Sequence, residues 1–227
     1  IFFVMENNIF KKFNYSITKY NFRELIEVLF GTKDLENLHK TRPELMPNYQ
    51  LKFENESQTN FHSTFYSKLN SNWKEFTNLY EQFIKDEIYS QFNKPILYQY
   101  APTFRAQIPD DQAIHKWHFD SDEDHNHPQG EINYCIAITD MFDTTAIWIE
   151  SSPGKKDFKP MEIKFGEYQR FNGNQCTHGN KINKTKTMRF SLDFRILPKE
   201  KYKYDVKKNF SLTSGKKFEI NDYYRTL

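Results

Sequence analysis

Apolar residues in the first hundred positions recur at steps of three and four, which places them on one face of a helix. The pattern runs over residues 20–38 and again over 61–92, where it predicts two helices or one interrupted helix. Gly31 is expected to interrupt or end the first helix, and the polar stretch 41–60 is predicted to be a loop. The N-terminal part of the chain is therefore predicted to be helical.

After Pro95 the pattern changes to short apolar and β-branched runs separated by turn signals, which is typical of strands. Strands are predicted over residues 96–100, 103–108, 116–119, 132–138, 146–150, 161–165, 168–171 and 187–196. Helices followed by many short strands predict an α+β chain, mainly β, with a β sandwich or small barrel. The lysine-rich tail after Pro198 is predicted to be a surface extension or a segment that contacts a partner.

The length favours one domain, because 227 residues with 22 Phe can bury one sizeable core. No linker or internal repeat divides the sequence. We predict a single domain over 1–227, with a helical part over 1–94, a β core over 95–198 and a C-terminal extension over 199–227. The natural start is expected at Met5, which would make residues 1–4 foreign to the protein.

Charge and cysteine content narrow the classes of partner. Lys and Arg total 32 against 30 Asp and Glu, so no global field favours binding to nucleic acid or to an anionic membrane. No apolar run reaches membrane-spanning length, and the apolar start lacks the features of a secretory signal. Only Cys135 and Cys176 are present, too few for a disulfide scaffold, which favours a reducing, cytoplasmic compartment. The oligomeric state is left open.

One histidine–carboxylate pair has the spacing of metal ligands. His118 and Asp120 are two residues apart, so in a strand they project from the same face toward one point. A third ligand must come from elsewhere, and His178 is the only histidine after residue 127. Two histidines and one carboxylate leave the opposite coordination positions open, as in non-haem Fe(II) oxygenases. The sequence therefore predicts an iron site at His118, Asp120 and His178.

Three other histidines lie close to this pair in the sequence. His115 lacks the two-residue spacing to an aspartate. His125 and His127 fall in the acidic segment 120–128, which is predicted to be a solvated loop, although a loop beside a metal could cover substrate.

The predicted strand 187–196 has one polar face, with Arg189, Ser191, Asp193 and Arg195 alternating with apolar residues. A guanidinium beside a hydroxyl can bind a carboxylate through charge-assisted hydrogen bonds, as the distal carboxylate of 2-oxoglutarate would require. The structural alternative is an ion pair between Arg195 and Asp193, with Arg189 at the surface.

These motifs, in this order, resemble those of the Fe(II)/2-oxoglutarate-dependent dioxygenase superfamily. Within it, the chain is similar to the branch typified by streptomycin-biosynthesis oxygenases and phytanoyl-hydroxylase-like relatives. The similarity covers residues 102–198 and includes Pro102-Thr-Phe-Arg105-Ala-Gln107, Glu131-Ile-Asn133, Ile147-Trp148-Ile-Glu150-Ser151, Pro153-Gly154, His178-Gly-Asn180 and Asn183-Lys-Thr185.

The resemblance implies a double-stranded β-helix, a cupin-like jelly roll, with the N-terminal helices packed on the barrel. It implies Fe(II), 2-oxoglutarate and O2 as cofactor and cosubstrates, with Arg189 and Ser191 binding 2-oxoglutarate and Asn133 as a candidate helper. Candidate substrate-binding residues are Arg105, Gln107, Trp148 and Arg195, each of which could instead brace the barrel.

The resemblance also implies hydroxylation of a C–H bond of a small polar metabolite, with formation of succinate and CO2. The carboxylate of Asp120 favours this outcome over halogenation, because related halogenases lack it. One alternative is a non-redox, cupin-like metal protein that binds or isomerises a sugar. Another is an oxygenase acting on nucleic acid, suggested by the six-residue spacing of Arg189 and Arg195, or on protein, with the lysine-rich tail as a docking segment.

Overall fold

The computed structural model describes residues 9–46, 60–110, 117–203, 205 and 209–227. The α-helices of this part of the chain are α1 (Phe22–Phe30), α2 (Leu38–Thr41), α3 (Asn60–Asn70) and α4 (Lys74–Phe83). Helix α4 continues through a π-helical turn over Ile84–Ile88 and a 3-10 turn over Tyr89–Gln91. Further 3-10 turns cover Leu35–Asn37, Pro43–Leu45, Asp143–Thr145 and Lys199–Lys201. No helix among the described residues is both long and apolar enough to cross a lipid bilayer.

Helix α1 begins and ends at residues that suit its termini. The side chain of Asn21 accepts a hydrogen bond from the backbone N–H of Glu24, which satisfies a donor that has no partner within the helix. Gly31 ends the helix with φ 66°, a left-handed conformation that glycine adopts without strain. The prediction that Gly31 ends the first helix is confirmed, and a 3-10 turn over Leu35–Asn37 followed by the short helix α2 replaces the rest of it. Residues 47–59 of the predicted loop lie outside the described part.

The described residues form ten strands, and the strands pair only in antiparallel fashion. They are β1 (Lys11–Asn14), β2 (Ile96–Gln99), β3 (Thr103–Gln107), β4 (Ile132–Ala137), β5 (Ile147–Ile149), β6 (Lys159–Met161), β7 (Glu167–Phe171), β8 (His178–Asn180), β9 (Arg189–Pro198) and β10 (Tyr224–Thr226). The larger sheet has the order β1-β7-β4-β9-β2-β10, with β3 also paired to β9, and the smaller has the order β6-β5-β8. The predicted mainly β architecture is confirmed.

The outer face of the larger sheet packs against the helices. Phe190, Leu192, Phe194 and Ile196 of β9 are buried in one apolar cluster with aromatic residues of α1, α3 and α4. Phe83, at the end of α4, lies edge-on to Phe194 and to several other rings of this cluster. The apolar face predicted for this strand is therefore the face that contacts the helices.

The inner faces of the two sheets meet in a second apolar cluster. Cys135 and Ala137 of β4 pack there with Ile147 and Ile149 of β5 and with Cys176. The opposite face of β9, which carries Arg189, Ser191, Asp193 and Arg195, points into the same space because strand residues alternate between faces. A polar row and an apolar cluster therefore share the space between the sheets.

Some predicted elements differ from the structure. Within the described residues of the predicted strand 116–119 there is only a single bridge between His118 and His178, and strand 161–165 is replaced by β6 and a single bridge at Ile163. The prediction of the tail as a surface extension is wrong for its end, because β10 pairs with β2 and Tyr224 is fully buried. Tyr224 and Phe218 of the tail pack on Leu97 and Leu197.

Candidate metal centre

The three side chains predicted as metal ligands lie on backbone segments that are hydrogen-bonded to one another. The N–H of His118 donates to the carbonyl of His178 at 3.1 Å, and the N–H of His178 donates back at 2.8 Å. His178 begins β8, in the smaller sheet. The N–H of Asp120 donates to the carbonyl of Gly173 at 2.9 Å. These bonds fix the loop that carries His118 and Asp120 against β8.

The side chains converge on one point. Oδ1 of Asp120 lies 3.5 Å from Nε2 of His118 and 3.8 Å from Nε2 of His178. The three donor atoms all lie within 4.8 Å of one another, close enough to bind one metal ion. Asp120 is fully buried, and the two imidazoles are partly buried.

The two oxygens of Asp120 have different surroundings. Oδ2 accepts hydrogen bonds from Nδ2 of Asn133 and Nε of Arg195, each at 2.7 Å. Oδ1 is buried and accepts no hydrogen bond from the described residues. Leaving a buried polar atom without a partner costs free energy. Oδ1 is therefore suited to bind a ligand that is not a protein side chain. A divalent cation between Oδ1 and the two imidazoles would satisfy it.

The electrostatics keep the candidate ligands in the forms that bind a metal. Burial opposes ionisation of Asp120, but the charge of Arg195 and the contact with His118 outweigh it and hold the pKa of Asp120 well below its usual value. Burial lowers the pKa of His178 to about 4, so its imidazole is neutral at pH 7. Nδ1 of His178 lies 3.1 Å from the carbonyl of Cys176, which can only accept, so the proton is on Nδ1 and Nε2 has a free lone pair.

A second group of potential ligands, Asp120, His127 and Glu131, lies behind the first. Nε of Arg195 is 2.7 Å from Asp120 and 3.9 Å from Glu131, so the guanidinium already provides the positive charge between these carboxylates. Nδ1 of His127 lies 2.8 Å from Oε2 of Glu131, and the hydroxyl of Tyr224 donates to Oε1. This group is therefore an internal support for Asp120 that links β10 to the centre.

The loop between Asp120 and β4 packs against the centre. The ring of His125 stacks on that of His118, with centroids 4.0 Å apart and planes 17° apart. The ring of His127 packs on Phe218 at 4.2 Å. The prediction of a solvated loop is wrong for these two histidines, because aromatic partners and Glu131 bury them partly. His115 lies outside the described residues.

Arg189 is buried in the space between the sheets, with 2% of its surface exposed. Its Nη1 donates to Oγ of Ser191 at 2.8 Å, and its Nε has no hydrogen-bond partner among the described residues. Both parts of the structural alternative are wrong, since Arg189 is not at the surface and Arg195 does not pair with Asp193. Asp193 instead accepts from Nε of Arg105 at 3.1 Å.

Two residues predicted to bind cosubstrate or substrate contact Asp120, and their predicted roles stay predictions. Asn133, predicted beside 2-oxoglutarate, donates to Asp120, and its Oδ1 has no hydrogen-bond partner among the described residues. Arg195, predicted to bind substrate, is buried in the ion pair with Asp120 and also donates from Nη1 to Gln99 at 3.3 Å. A Cβ at Gly173 would lie 2.8 Å from Cγ of Asn133, so only glycine leaves room for this amide.

The remaining substrate candidates separate into two groups. Arg105 and Gln107 lie on the inner face, opposite Ser191 and Arg189 in the register of β3 and β9. Nε2 of Gln107 donates to the carbonyl of Lys181 at 2.8 Å, and its Oε1 has no hydrogen-bond partner among the described residues.

Trp148, in contrast, is not brought into the space between the sheets. Its neighbours Ile147 and Ile149 pack in the cluster between the sheets, so alternation directs Trp148 to the outer face of the smaller sheet. There its Nε1 donates to the carbonyl of Asp143 at 3.1 Å, and Nζ of Lys181 lies 3.1 Å from its ring centroid. The prediction that Trp148 binds substrate stays a prediction, and any such contact would lie on the outer face of the smaller sheet.

Sequence reasoning missed the role of four residues that support Asp120 from behind, namely Gln99, His127, Glu131 and Tyr224. Glu131 and Asn133 are two residues apart, and this spacing was the one available signal that both approach the same place. Nothing in the sequence pattern links Gln99 or Tyr224 to the centre, because the pairing of β2 and β10 brings them there.

No family model matches this chain. It is similar to the streptomycin biosynthesis protein StrG of Streptomyces griseus, with 27% identity over 218 residues that cover 96% of this chain and 98% of that protein. The predicted resemblance to a streptomycin-biosynthesis branch is thereby confirmed, and the similarity extends from residues 102–198 to almost the whole chain.

Solved structures with a partial likeness of the backbone include the following three. AviO1 from Streptomyces viridochromogenes has a TM-score of 0.46 and 12% identity, with 86% of this chain and 92% of that chain covered. The non-haem α-ketoglutarate-dependent carbocyclase SnoK has a TM-score of 0.47 and 12% identity, with 68% and 73% covered. CytC3 with Fe(II) and α-ketoglutarate has a TM-score of 0.44 and 15% identity, with 88% and 84% covered. Likeness at this level carries no conclusion about activity.

Replacing Arg195 with Met should destabilise the metal-free protein by about 3–5 kcal/mol at pH 7, because it leaves Asp120 and Glu131 buried without a counter-charge. Without the guanidinium, burial raises the pKa of Asp120, so the destabilisation should shrink as the pH is lowered and the carboxyl takes up a proton. Urea unfolding at pH 7 and pH 5, with a chelator present, measures this change.

The control is Lys12→Met, which removes an exposed 3.3 Å pair with Glu167 and should cost less than about 1 kcal/mol at either pH. A loss in Arg195→Met that matches the control, or that does not change with pH, would contradict the role of the buried pair.

Proposed function

We propose that this chain is an Fe(II)- and 2-oxoglutarate-dependent oxygenase that hydroxylates a C–H bond of a small polar metabolite. The observation that carries the proposal is the unpartnered Oδ1 of Asp120, which faces Nε2 of His118 and Nε2 of His178 at 3.5 and 3.8 Å. Two imidazoles and one carboxylate with open positions opposite them are the ligand set typical of non-haem Fe(II) oxygenases. In this proposal these three residues bind the iron.

We further propose that the two sheets form a double-stranded β-helix within a single domain over residues 1–227. The two antiparallel sheets face each other across one apolar cluster, and helices cover the outer face of the larger sheet. His178 comes from the smaller sheet, and Arg195 and Asn133 come from the larger one. A ligand set assembled between two such sheets is consistent with this fold.

Arg189 and Ser191 are proposed to bind the distal carboxylate of 2-oxoglutarate. A buried guanidinium with a free Nε and an adjacent hydroxyl suits charge-assisted, bidentate recognition of a carboxylate. Arg105 neutralises Asp193 through a 3.1 Å contact, so the positive charge of Arg189 is left for a ligand. Gln107 and Asn133 lie opposite Arg189 and Arg195 in the register of the larger sheet, and each has a side-chain oxygen without a hydrogen-bond partner among the described residues, which supports a polar ligand on this face.

Each of these residues has a distinct part in the proposed reaction. Bound iron, with 2-oxoglutarate and O2, would supply the oxidation of a C–H bond, with succinate and CO2 as products. Arg195 and Asn133 hold Oδ2 of Asp120, so that Oδ1 is directed toward the imidazoles. Neighbouring apolar side chains such as Met141 and Ile149 exclude water from the space between the sheets.

The substrate class is proposed from a relative and from charge. StrG is named for streptomycin biosynthesis, and it is similar to this chain over almost its full length, which supports a small metabolite as substrate. A net charge of +2 gives little support to nucleic acid as substrate. A non-redox metal protein with the same ligands has no need for a buried guanidinium at Arg189, which favours the oxygenase. A cytoplasmic enzyme agrees with two buried, free cysteines.

Replacing Asp120 with Ala should weaken Fe(II) binding by more than about 100-fold, beyond the effect of removing a residue that only supports a ligand. Succinate formation from 2-oxoglutarate should be lost with it. Because Asp120→Ala also leaves Arg195 without its partner, His178→Gln serves as a second variant that keeps the ion pair intact. Fe(II) binding by anaerobic calorimetry and succinate release measure the two effects.

The matched control is His39→Gln, which changes a histidine of helix α2 far along the sequence from the centre. Succinate formed by either ligand variant at the rate of the control would contradict the assignment. Absence of succinate from the unaltered protein with Fe(II), 2-oxoglutarate and O2 all present, while it still binds a divalent metal, would favour the non-redox alternative.

Replacing Arg189 with Met should lower the affinity for 2-oxoglutarate by about 10- to 100-fold, the loss of a charge-assisted hydrogen-bonded pair. Fe(II) affinity should not change, because Arg189 contacts none of the three candidate ligands. Arg189→Lys should give an intermediate loss, since it keeps the charge without the planar fork. An unchanged affinity for 2-oxoglutarate would show that the cosubstrate is held elsewhere.

A further inference from the structure

A cavity of about 760 Å³ is lined by residues other than the three candidate metal ligands. Its walls are the α3–α4 turn, the β2–β3 turn and the C-terminal segment that precedes β10. This volume is typical of a site for a small molecule.

The cavity is close to the candidate metal centre. Gln99, in its wall, accepts hydrogen bonds at Oε1 from the hydroxyl of Tyr223 at 2.9 Å and from Nη1 of Arg195 at 3.3 Å. Arg195 in turn holds Asp120. One wall residue and one guanidinium therefore separate the cavity from the candidate metal ligand.

The C-terminal wall carries two lysines, Lys216 and Lys217. Among the described residues, neither ammonium group forms a hydrogen bond or an ion pair. Part of Lys216 is exposed to solvent, but many protein atoms surround its ammonium group because it lies in the cavity wall. This partial burial and the nearby charges of Arg195 and Arg105 lower the pKa of Lys216 to about 8. Asp222 also lines the cavity and contributes a negative charge there.

The segment that carries these lysines also packs on the loop of the metal centre. The N–H of Leu212 donates to the carbonyl of Asp124 at 3.0 Å, and the ring of Phe218 packs on His127 at 4.2 Å. A ligand held by the lysines would therefore lie against the segment that covers this loop.

The other walls offer neutral polar groups and an aromatic face. Asn72 has φ 65°, a left-handed conformation that asparagine tolerates, and it forms the α3–α4 turn at the cavity wall. Tyr100 is 37% exposed, and the guanidinium of Arg225 lies 4.1 Å from its ring centroid. Amides and an aromatic ring beside two ammonium groups suit a polar molecule with a negatively charged end.

We propose that this cavity binds a small polar metabolite through a phosphate or carboxylate group held by Lys216 and Lys217. The binding of this metabolite does not depend on the proposed function. Its assignment as the substrate of the oxygenase does rest on the proposed function. The shared chemistry of the two anions is a charge-assisted hydrogen bond from an ammonium group.

The binding test uses glucose 6-phosphate, glucuronate and uncharged glucose as probes, titrated calorimetrically into the full chain without Fe(II) or 2-oxoglutarate. At least one anionic probe should bind about tenfold or more tightly than glucose, and Lys216→Gln with Lys217→Gln should remove that difference. Lys159→Gln, an exposed lysine of β6, is the matched control and should leave every affinity unchanged. Anionic probes that bind no more tightly than glucose, or tight binding that survives both substitutions, would overturn the proposal.

A second measurement separates the cavity from the oxygenase. With Fe(II), 2-oxoglutarate and O2 present, the probe that binds should change the rate of succinate formation in the unaltered protein and not in the double lysine variant. Tight binding without any change in that rate would overturn the assignment of the cavity to the substrate. Failure to form succinate at all, with binding intact, would contradict the proposed function and leave the anion site standing.

Discussion

The buried ion pair between Asp120 and Arg195, 2.7 Å long, is the interaction on which the candidate centre depends. A buried carboxylate is tolerated only when its charge is compensated and its oxygens have partners. Arg195 and Asn133 satisfy one oxygen of Asp120 and leave the other to the space between the imidazoles. Arg195 also lies near Glu131, which accepts a hydrogen bond from Tyr224. The positive charge of Arg195 therefore stabilises both the candidate metal centre and the contact of β10 with it.

Strand β9 connects the stability of the fold to the chemistry of the site. Its apolar face packs among the aromatic residues of the helices, and its polar face lines the space between the sheets. The register with β4 places Asn133 opposite Arg195, so a one-residue slip would turn the arginine toward the helices and remove both supports of Asp120. Packing of Phe194 against the aromatic core thus fixes the position of the neighbouring guanidinium.

Local periodicity predicted the parts of the structure that depend on near neighbours along the chain. The two-residue spacing of His118 and Asp120 predicted that their side chains approach one point, which they do, although they lie in a loop with a single bridge and not in a strand. The alternation of β9 gave the correct apolar face. The partner of Arg195 could not be predicted, because the 118–131 loop brings Asp120 to it from far along the chain. The role of Tyr224 could not be predicted either, because Tyr224 reaches the centre only through the pairing of β10 with β2. Trp148 is different, since its apolar neighbours already indicated an outward direction.

The most direct test of this account is a crystal structure of the protein grown anaerobically with Fe(II) and 2-oxoglutarate. The account predicts one metal ion about 2.0–2.2 Å from Nε2 of His118, Nε2 of His178 and Oδ1 of Asp120, distances typical of nitrogen and carboxylate ligands. It also predicts a dicarboxylate that reaches from the metal to Arg189. A metal bound between Asp120 and Glu131, or 2-oxoglutarate bound away from Arg189, would contradict it.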